Sequence, residues 1–478
     1  MTLSRRSFLV ATGAALGACA RFAPPPNGPF VAPEAGDIDL AQHVLGRCSF
    51  GPALGDRAQF LALAPTQAEA ATLWFERQLA PQAIDDEPAE RAVRRCDSLD
   101  APLGELYEYK PQVLLRELTA AALLRATYSQ RQLYEVLVEF WTDHFNIDSS
   151  KAECAWLKAG DDREVIRKHA LGTFPELLRA SAFSPAMLWY LDGRANVKRT
   201  SDERPNENYA RELLELHTLG VHGGYTQADV MEAARCLSGW TVRDKNRLRK
   251  ATVEFHAEEH DDGEKRVLGI VIPAGGRERD AQILLDTLAS HPATALHLAT
   301  KLCRRFVADE PPLEAVEAVA AAFRSSSGDI PATLRALFER PEFRDARGTK
   351  LKRPFHYLVS ILRATGAESD AGPALASYLA RMGQAPFQYP TPDGYAQEAA
   401  AWQGALLWRW KLAAALAQDE IEGTRIDAPR LVERCGGEAG LVAHLLGRSP
   451  SARESELFLG RGAPKLGLLL ASPAFQRC

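Results

Sequence analysis

Apolar and polar residues recur with helical spacing along most of the chain. Thr66 and Glu69 make a capping pattern ahead of Leu73, Trp74, Phe75 and Leu79. Ser129 and Gln132 make another ahead of Leu133, Val136, Leu137, Phe140, Trp141 and His144. Thr226 with Asp229, where Asp replaces Glu, precedes Val230, Ala233, Ala234 and Leu237 at i, i+3, i+4, i+7. Further helices are predicted from Asp280, over 295–307, 312–324 and 331–338, and from Pro354. Strand alternation occurs in one place: 252–255 alternates, His260-Asp261-Asp262-Gly263 turns, and 266–268 resumes. The acidic, mixed stretch 81–111 shows no period. The expected fold is mostly α, a compact multi-helical domain over 38–478 with a small β-hairpin insertion near Val253 to Leu268.

The first residues read differently. Ser4-Arg5-Arg6-Ser7-Phe8-Leu9 resembles a twin-arginine export signal, and the apolar run from Val10 to Gly17 is too short to cross a bilayer. Leu16-Gly17-Ala18-Cys19 looks like a bacterial lipobox. Residues 1–18 are thus expected to be a signal peptide, and Cys19 the lipidation site that anchors the protein to a membrane. Residues 19–37, with Pro24, Pro25, Pro26, Pro29 and Pro33, read as an extended tether. The expected location is the periplasm or cell envelope. The twin-arginine route carries folded proteins, which suits a cofactor-loaded protein without requiring a cofactor.

Composition narrows the function. With 46% hydrophobic residues the 478-residue chain can bury a large core. A net charge of −5 and 8% aromatics, with no basic block, argue against nucleic acid as a partner. Cysteines 48, 96, 154, 236, 303, 435 and 478 contain no Cys-x-x-Cys or haem-attachment pattern, and their spacing does not pair them. Neither a Rossmann glycine fingerprint, a P-loop, a Gly-x-Ser-x-Gly elbow nor a His-Glu-x-x-His is present.

Candidate chemistry concentrates in 204–240. At ~100° per residue Glu207, Asn208, Arg211, Glu212, Glu215 and Thr218 share an arc of roughly 140°, opposite Tyr209, Leu213, Leu214 and Leu216. Glu207, Arg211 and Glu215 at i, i+4, i+8 fit a solvated ion-pair ladder, or two carboxylates flanking a guanidinium in a substrate or metal site. His144 extends an apolar stripe and points inward, as a core residue or as a ligand, with Asp143 and Asn146 beside it. His256-Ala257-Glu258-Glu259-His260 matches His-x-x-Glu-His, but a strand-turn context denies it the helical face that motif needs. The aromatic, proline-rich stretch 387–395 reads as a turn or as a pocket rim formed by Gln384, Asp393 and Tyr395. Two segments echo one another, Leu337-Phe338 before 341–344 and Leu469-Leu470 before 473–477, as a recurring helix end.

Several of these segments resemble the bacterial domain of unknown function 1800 family. They are 43–47 with 50–52, 140–145, 206–213, 219–240, His260-Asp261 with Gly263 and Lys265, 352–355, 390–395 with Trp402, and 472–477. The resemblance covers nearly the whole chain beyond the tether and implies an exported, largely helical protein, with another exported protein as a partner. It implies no catalytic residue. Trp240, His260, Asp261 and Lys265 are further binding candidates on their own chemistry, beside Asn208, Glu212, Asp393 and Tyr395. Two functions remain in view. One is a hydrolytic enzyme acting on a polar envelope or glycan substrate through Glu207, Arg211, Glu215 and His144, with a divalent metal held by Glu207, Glu215 and a histidine as a variant. The other is a non-catalytic envelope binding or scaffold lipoprotein. A redox protein is disfavoured by the missing haem and dinucleotide motifs.

Overall fold

Polar caps set where the apolar stripes begin. The Thr66 hydroxyl accepts the Glu69 amide at 3.3 Å and opens the Gln67–Leu79 helix. Thr226 and Asp229 complete both arms of a capping box ahead of Gln227–Cys236. The signal at Ser129 marks a turn instead. The Gln132–His144 helix has Arg131 at its N-cap, the Ser129 hydroxyl accepts the Arg131 amide, and the Gln132 side chain turns back to the Ala126 and Ser129 carbonyls.

The computed structural model describes residues 30–33, 36–200, 202–243, 250–459 and 466–478. Arg5, Arg6, Cys19 and most of the proline-rich tether lie outside the described residues. As the periodicity predicts, the protein is mostly helical. The apolar stripes meet in one core that runs from Leu40 to Phe475. Phe75 stacks on Phe338 with centroids 4.1 Å apart, and Trp141 donates its indole N–H to the Ala170 carbonyl at 3.1 Å. Residues 81–111 fold as short pieces, Pro81–Ala83, Glu87–Val93, Asp97–Asp100 and Leu103–Leu106, each too brief to display a period. In the echoed segments Phe343 and Phe475 are both buried shortly after a helix ends, at Glu339 and at Ala471.

The described strands form two-stranded antiparallel sheets. Both strands of the expected hairpin exist, but each pairs elsewhere. Val253–Phe255 pairs with Trp240–Val242, and Lys265–Val267 with Ile270–Ile272. Leu268 and Gly269, at φ 51° and 80°, supply the two left-handed residues of a two-residue turn, so the nearer partner wins.

Three features bear on function. Asp162–Arg167 and Leu213–Thr218 are wound as π-helix, a form that often marks functional positions. Arg47, fully buried, donates to the carbonyls of Phe306, Val307, Ala346 and Cys478 and so ties distant helix ends together. The described cysteines are all buried and none is in a disulfide. No described helix is long and apolar enough to cross a membrane.

Candidate functional site

The polar arc of 204–218 is divided by its own backbone. Asn208–Glu212 is α-helical, but the turn widens from Leu213, where the Thr218 hydroxyl donates to the Leu213 carbonyl at 2.7 Å and is buried. Thr218 therefore leaves the arc. Arg211 pairs with Glu207 at 2.6 Å, each 36% exposed, and Gln227 bridges the two. Among the described residues no ion pair joins Arg211 to Glu215, which accepts instead from the Tyr225 hydroxyl at 3.2 Å. Asn208 is exposed and donates to the Leu191 carbonyl. Burial, then the nearby Glu215 carboxylate, raises the Glu212 carboxyl, and Asp393 adds to the rise from the proline-rich loop. Glu207 and Arg211 thus form a surface pair, and Glu212 lies near enough to Glu215, Arg211 and Asp393 to feel all three charges.

His144 reaches the same helix from behind. Its Nε2 faces the His217 carbonyl at 3.1 Å, and His297 Nε2 faces the Leu216 carbonyl at 3.1 Å. A carbonyl only accepts, so each Nε2 carries the proton, and two imidazoles cap the end of the π-turn. His144 Nδ1 then accepts from Lys301 Nζ at 2.9 Å. Burial holds His144 well below its ordinary pKa, and Lys301 pushes the same way. With both nitrogens engaged in the interior, His144 positions the helix that carries Glu212 and Glu215.

His260, Asp261 and Lys265 gather at a third place. Asp261 takes a two-pronged bond from Arg235, at 2.9 and 3.0 Å, and a third from Lys198 at 2.8 Å, which hold its carboxyl far below the usual range despite burial. His260 Nε2 lies 3.1 Å from Asp280 Oδ2, and Lys265 Nζ binds that same oxygen; all three side chains are fully enclosed. His260, Asp262 and Asp280 lie close enough to hold a cation; the Lys265 ammonium sits against Asp280 Oδ2, and Asp280 Oδ1 is buried without a hydrogen-bond partner. His256 is 39% exposed beside Glu254 and Glu259, away from the buried His260, so the two imidazoles of the His-x-x-Glu-His block do not converge. Trp240 packs between Phe183 and Phe255 in the adjoining sheet. This cluster docks the paired strands on the helical body.

The described pocket that gathers most ionisable chemistry is a cleft lined by Glu135, Glu139, Asp143, Asp162 and Arg167. Its wall is the polar face of Gln132–His144, where Glu135, Glu139 and Asp143 recur every four residues opposite the apolar stripe. Phe50, Phe355 and Phe387 form apolar surface beside them. The carboxylates are clamped in two groups. Arg167 binds Glu135 through two bonds, at 3.0 and 2.8 Å, and Asp162 at 3.0 Å. Arg353 places one nitrogen 2.6 Å from Asp143 Oδ2 and another 2.6 Å from Glu139 Oε1. Burial raises the Asp143 carboxyl well above the usual carboxylate range, with Glu139 adding to the rise and Arg353 opposing it. The second Glu139 oxygen, Oε2, is buried without a hydrogen-bond partner.

The proline-rich loop closes the cleft. Asn146 donates to the Tyr389 and Thr391 carbonyls at 2.9 and 2.8 Å, and the Tyr190 hydroxyl to the Pro390 carbonyl at 2.9 Å. Tyr395 lines the opening and donates to the Ala385 carbonyl at 2.7 Å. Gln384 accepts the Phe355 amide at 2.8 Å and turns its own nitrogen towards Glu139 at 3.3 Å. Asp143, Asn146, Gln384 and Tyr395 thus meet at one pocket rim, while Asp393 lies outside it, exposed.

A family model described as a protein of unknown function (DUF1800) matches residues 43–477. The chain belongs to the DUF1800 family. No curated protein and no solved structure matches it. In this DUF1800 member the residues that sequence reasoning passed over are Glu135, Glu139, Asp162 and Arg167, with Arg353 noticed only as part of a family segment. The available signal was three acids at a spacing of four on a helix that is otherwise strongly apolar. The candidate residues of the DUF1800 chain do not converge; they occupy the surface pair, the capped helix, the strand-docking cluster and the cleft.

Proposed function

We propose that the protein is an exported, lipid-anchored envelope enzyme that hydrolyses a polar, hydroxyl-rich substrate by acid–base catalysis in the Glu139–Asp143 cleft. The observation that carries this reading is one guanidinium, Arg353, holding the Glu139 and Asp143 carboxyl groups one helical turn apart at a cleft wall, where burial raises the Asp143 carboxyl. Asp143, with its raised affinity, keeps a proton to give to a leaving oxygen. Glu139 takes a proton from the attacking water, whose oxygen forms the new bond. Acid walls beside aromatic surface suit a neutral sugar better than an anion. The segment around Arg5-Arg6 and the cysteine at position 19 support the export and anchoring parts.

The test uses the purified full chain with isolated cell-wall polysaccharide, following release of reducing ends. Asp143→Asn and Glu139→Gln should each lower the rate at least about 100-fold, with unchanged circular dichroism. No release by the wild type, or equal release by the variants, overturns the enzymatic reading. Retained polysaccharide binding that both variants lose favours the second reading, a non-catalytic envelope binding protein; the apolar surface from Phe50, Phe355 and Phe387 is what recommends it.

A further inference from the structure

The ring of His260 is oriented through its Nδ1. That nitrogen lies 2.9 Å from the Ser238 carbonyl, which only accepts. The Ser238 hydroxyl, 3.2 Å away, spends its own hydrogen on the Arg235 carbonyl at 2.7 Å. Nδ1 therefore carries a hydrogen, and in the neutral ring Nε2 keeps its lone pair. Nε2 lies 3.1 Å from Asp280 Oδ2, so two electron-rich atoms face each other where both side chains are fully enclosed. A cation at Nε2 removes that conflict, and either a proton or a metal ion can supply it. An imidazole whose other nitrogen donates to a backbone carbonyl is the arrangement that fixes histidine ligands in metal sites.

Two carboxylates complete the group. Ligand atoms of His260, Asp262 and Asp280 all lie within 4.8 Å of one another. Asp280 stands in the first turn of the Glu278–Ser290 helix, where its Oδ2 takes the Lys265 ammonium. Its Oδ1 is buried with no hydrogen-bond partner among the described residues, which is costly for a carboxylate and is relieved by an ion. Asp262 is exposed and gives the group an opening to solvent. Its Oδ1 accepts the Arg277 amide at 3.2 Å and its carbonyl the Gly275 amide at 3.0 Å, which holds it against the chain just ahead of Asp280. Lys265 brings one positive charge against the two carboxylates, while the nearby Arg235 and Lys198 are taken up by Asp261. One imidazole nitrogen with two carboxylates, the other positions left to water, suits zinc or manganese. Calcium and magnesium call for oxygen ligands alone.

We propose that His260, Asp262 and Asp280 form a divalent transition-metal site, for zinc before manganese, that clips the 260–263 turn to the Glu278–Ser290 helix. The test strips the purified, untagged full chain with a chelator and titrates it by calorimetry with Zn²⁺, Mn²⁺ and Ca²⁺. Saturable binding of a single Zn²⁺ per chain is expected, tighter than Mn²⁺ and with Ca²⁺ weakest. Asp262→Asn and His260→Gln should each weaken Zn²⁺ binding at least about tenfold. Asp262 is exposed and its variant keeps the enclosed Lys265–Asp280 pair, so it decides the matter if His260→Gln fails to fold. His256→Gln, at the exposed imidazole beside Glu254 and Glu259, and Glu139→Gln in the cleft should leave Zn²⁺ binding unchanged. The proposal is overturned by no saturable Zn²⁺ binding, which leaves a proton between Nε2 and Asp280, or by equal binding to Asp262→Asn. Tighter binding of Ca²⁺ than of Zn²⁺ overturns it as well. Loss of binding in His256→Gln or Glu139→Gln places an adventitious ion elsewhere and has the same force.

Discussion

Gly394 lies against the backbone of Asp143: a β-carbon at Gly394 overlaps the Asp143 carbonyl oxygen, and its φ of 72° is left-handed. The proline-rich loop sits on the Gln132–His144 helix only because that side chain is missing. Gly394→Ala should cost at least about 2 kcal/mol, a left-handed penalty plus a backbone clash. Gly436→Ala, at φ 71° with nothing near its β position, isolates the first part and should cost only about 1 kcal/mol. Denaturant midpoints check the difference, and equal losses would sink the argument that contact with Asp143 places the loop.

Arg353 and Arg211 each pair with carboxylates in very different surroundings. Arg353→Met leaves Glu139 and Asp143 buried without their cation, and should cost about 3–5 kcal/mol. Arg211→Met removes a pair in which both side chains are 36% exposed and should cost a few tenths of a kcal/mol. Urea titrations of both variants decide this.

Acid should unfold the protein earlier than its carboxylates alone require. Burial pulls His43 and His217 down to about 3, and His297 and His444 to about 4. Each binds a proton near pH 6.5 when unfolded but resists it when folded. Their contribution is therefore complete above pH 6.5 and is lost as pH falls from there towards 4. Each histidine contributes a slope of about 1.4 kcal/mol per pH unit within that window. Stability measured at pH 7, 6 and 5 should drop with increasing steepness, and His444→Gln should remove one share. A flat profile refutes the assignment of neutral buried imidazoles.

Replacing Arg5 and Arg6 by lysine should keep the protein in the cytoplasm. On the proposed lipid anchoring, Cys19→Ala should release it from the membrane fraction, since a lipid on that thiol would supply the affinity. Unchanged fractionation of Cys19→Ala removes the anchor and leaves export standing.

The helices were legible because their stripes are long, as in Leu133 to Trp141 or Val230 to Leu237, and a shared core satisfies every stripe at once. The cleft was harder to see. Its acids sit on one of those same helices, where the apolar stripe is the louder signal, and their cations arrive from 32 residues away for Arg167 and 210 for Arg353. The arc from Glu207 to Thr218 assumed an even helical turn, and nothing in Leu213-Leu214-Glu215-Leu216-His217-Thr218 announces the wider π-turn that separates Glu215 from Arg211. The rim residues Asp143, Asn146, Gln384 and Tyr395 were within reach because turn chemistry and side-chain type coincide there. Hairpin pairing depended on Leu268 adopting a left-handed conformation, which a branched apolar side chain does not advertise.

The enclosed, unpaired thiols have a consequence for timing. A chain that folds before it meets an oxidising compartment arrives with every described cysteine already out of reach of oxidants. The same chain delivered unfolded presents all of them at once and is open to mispairing. On the proposed export route, folding first is then itself the redox protection, which makes the order of folding and translocation as consequential as the destination.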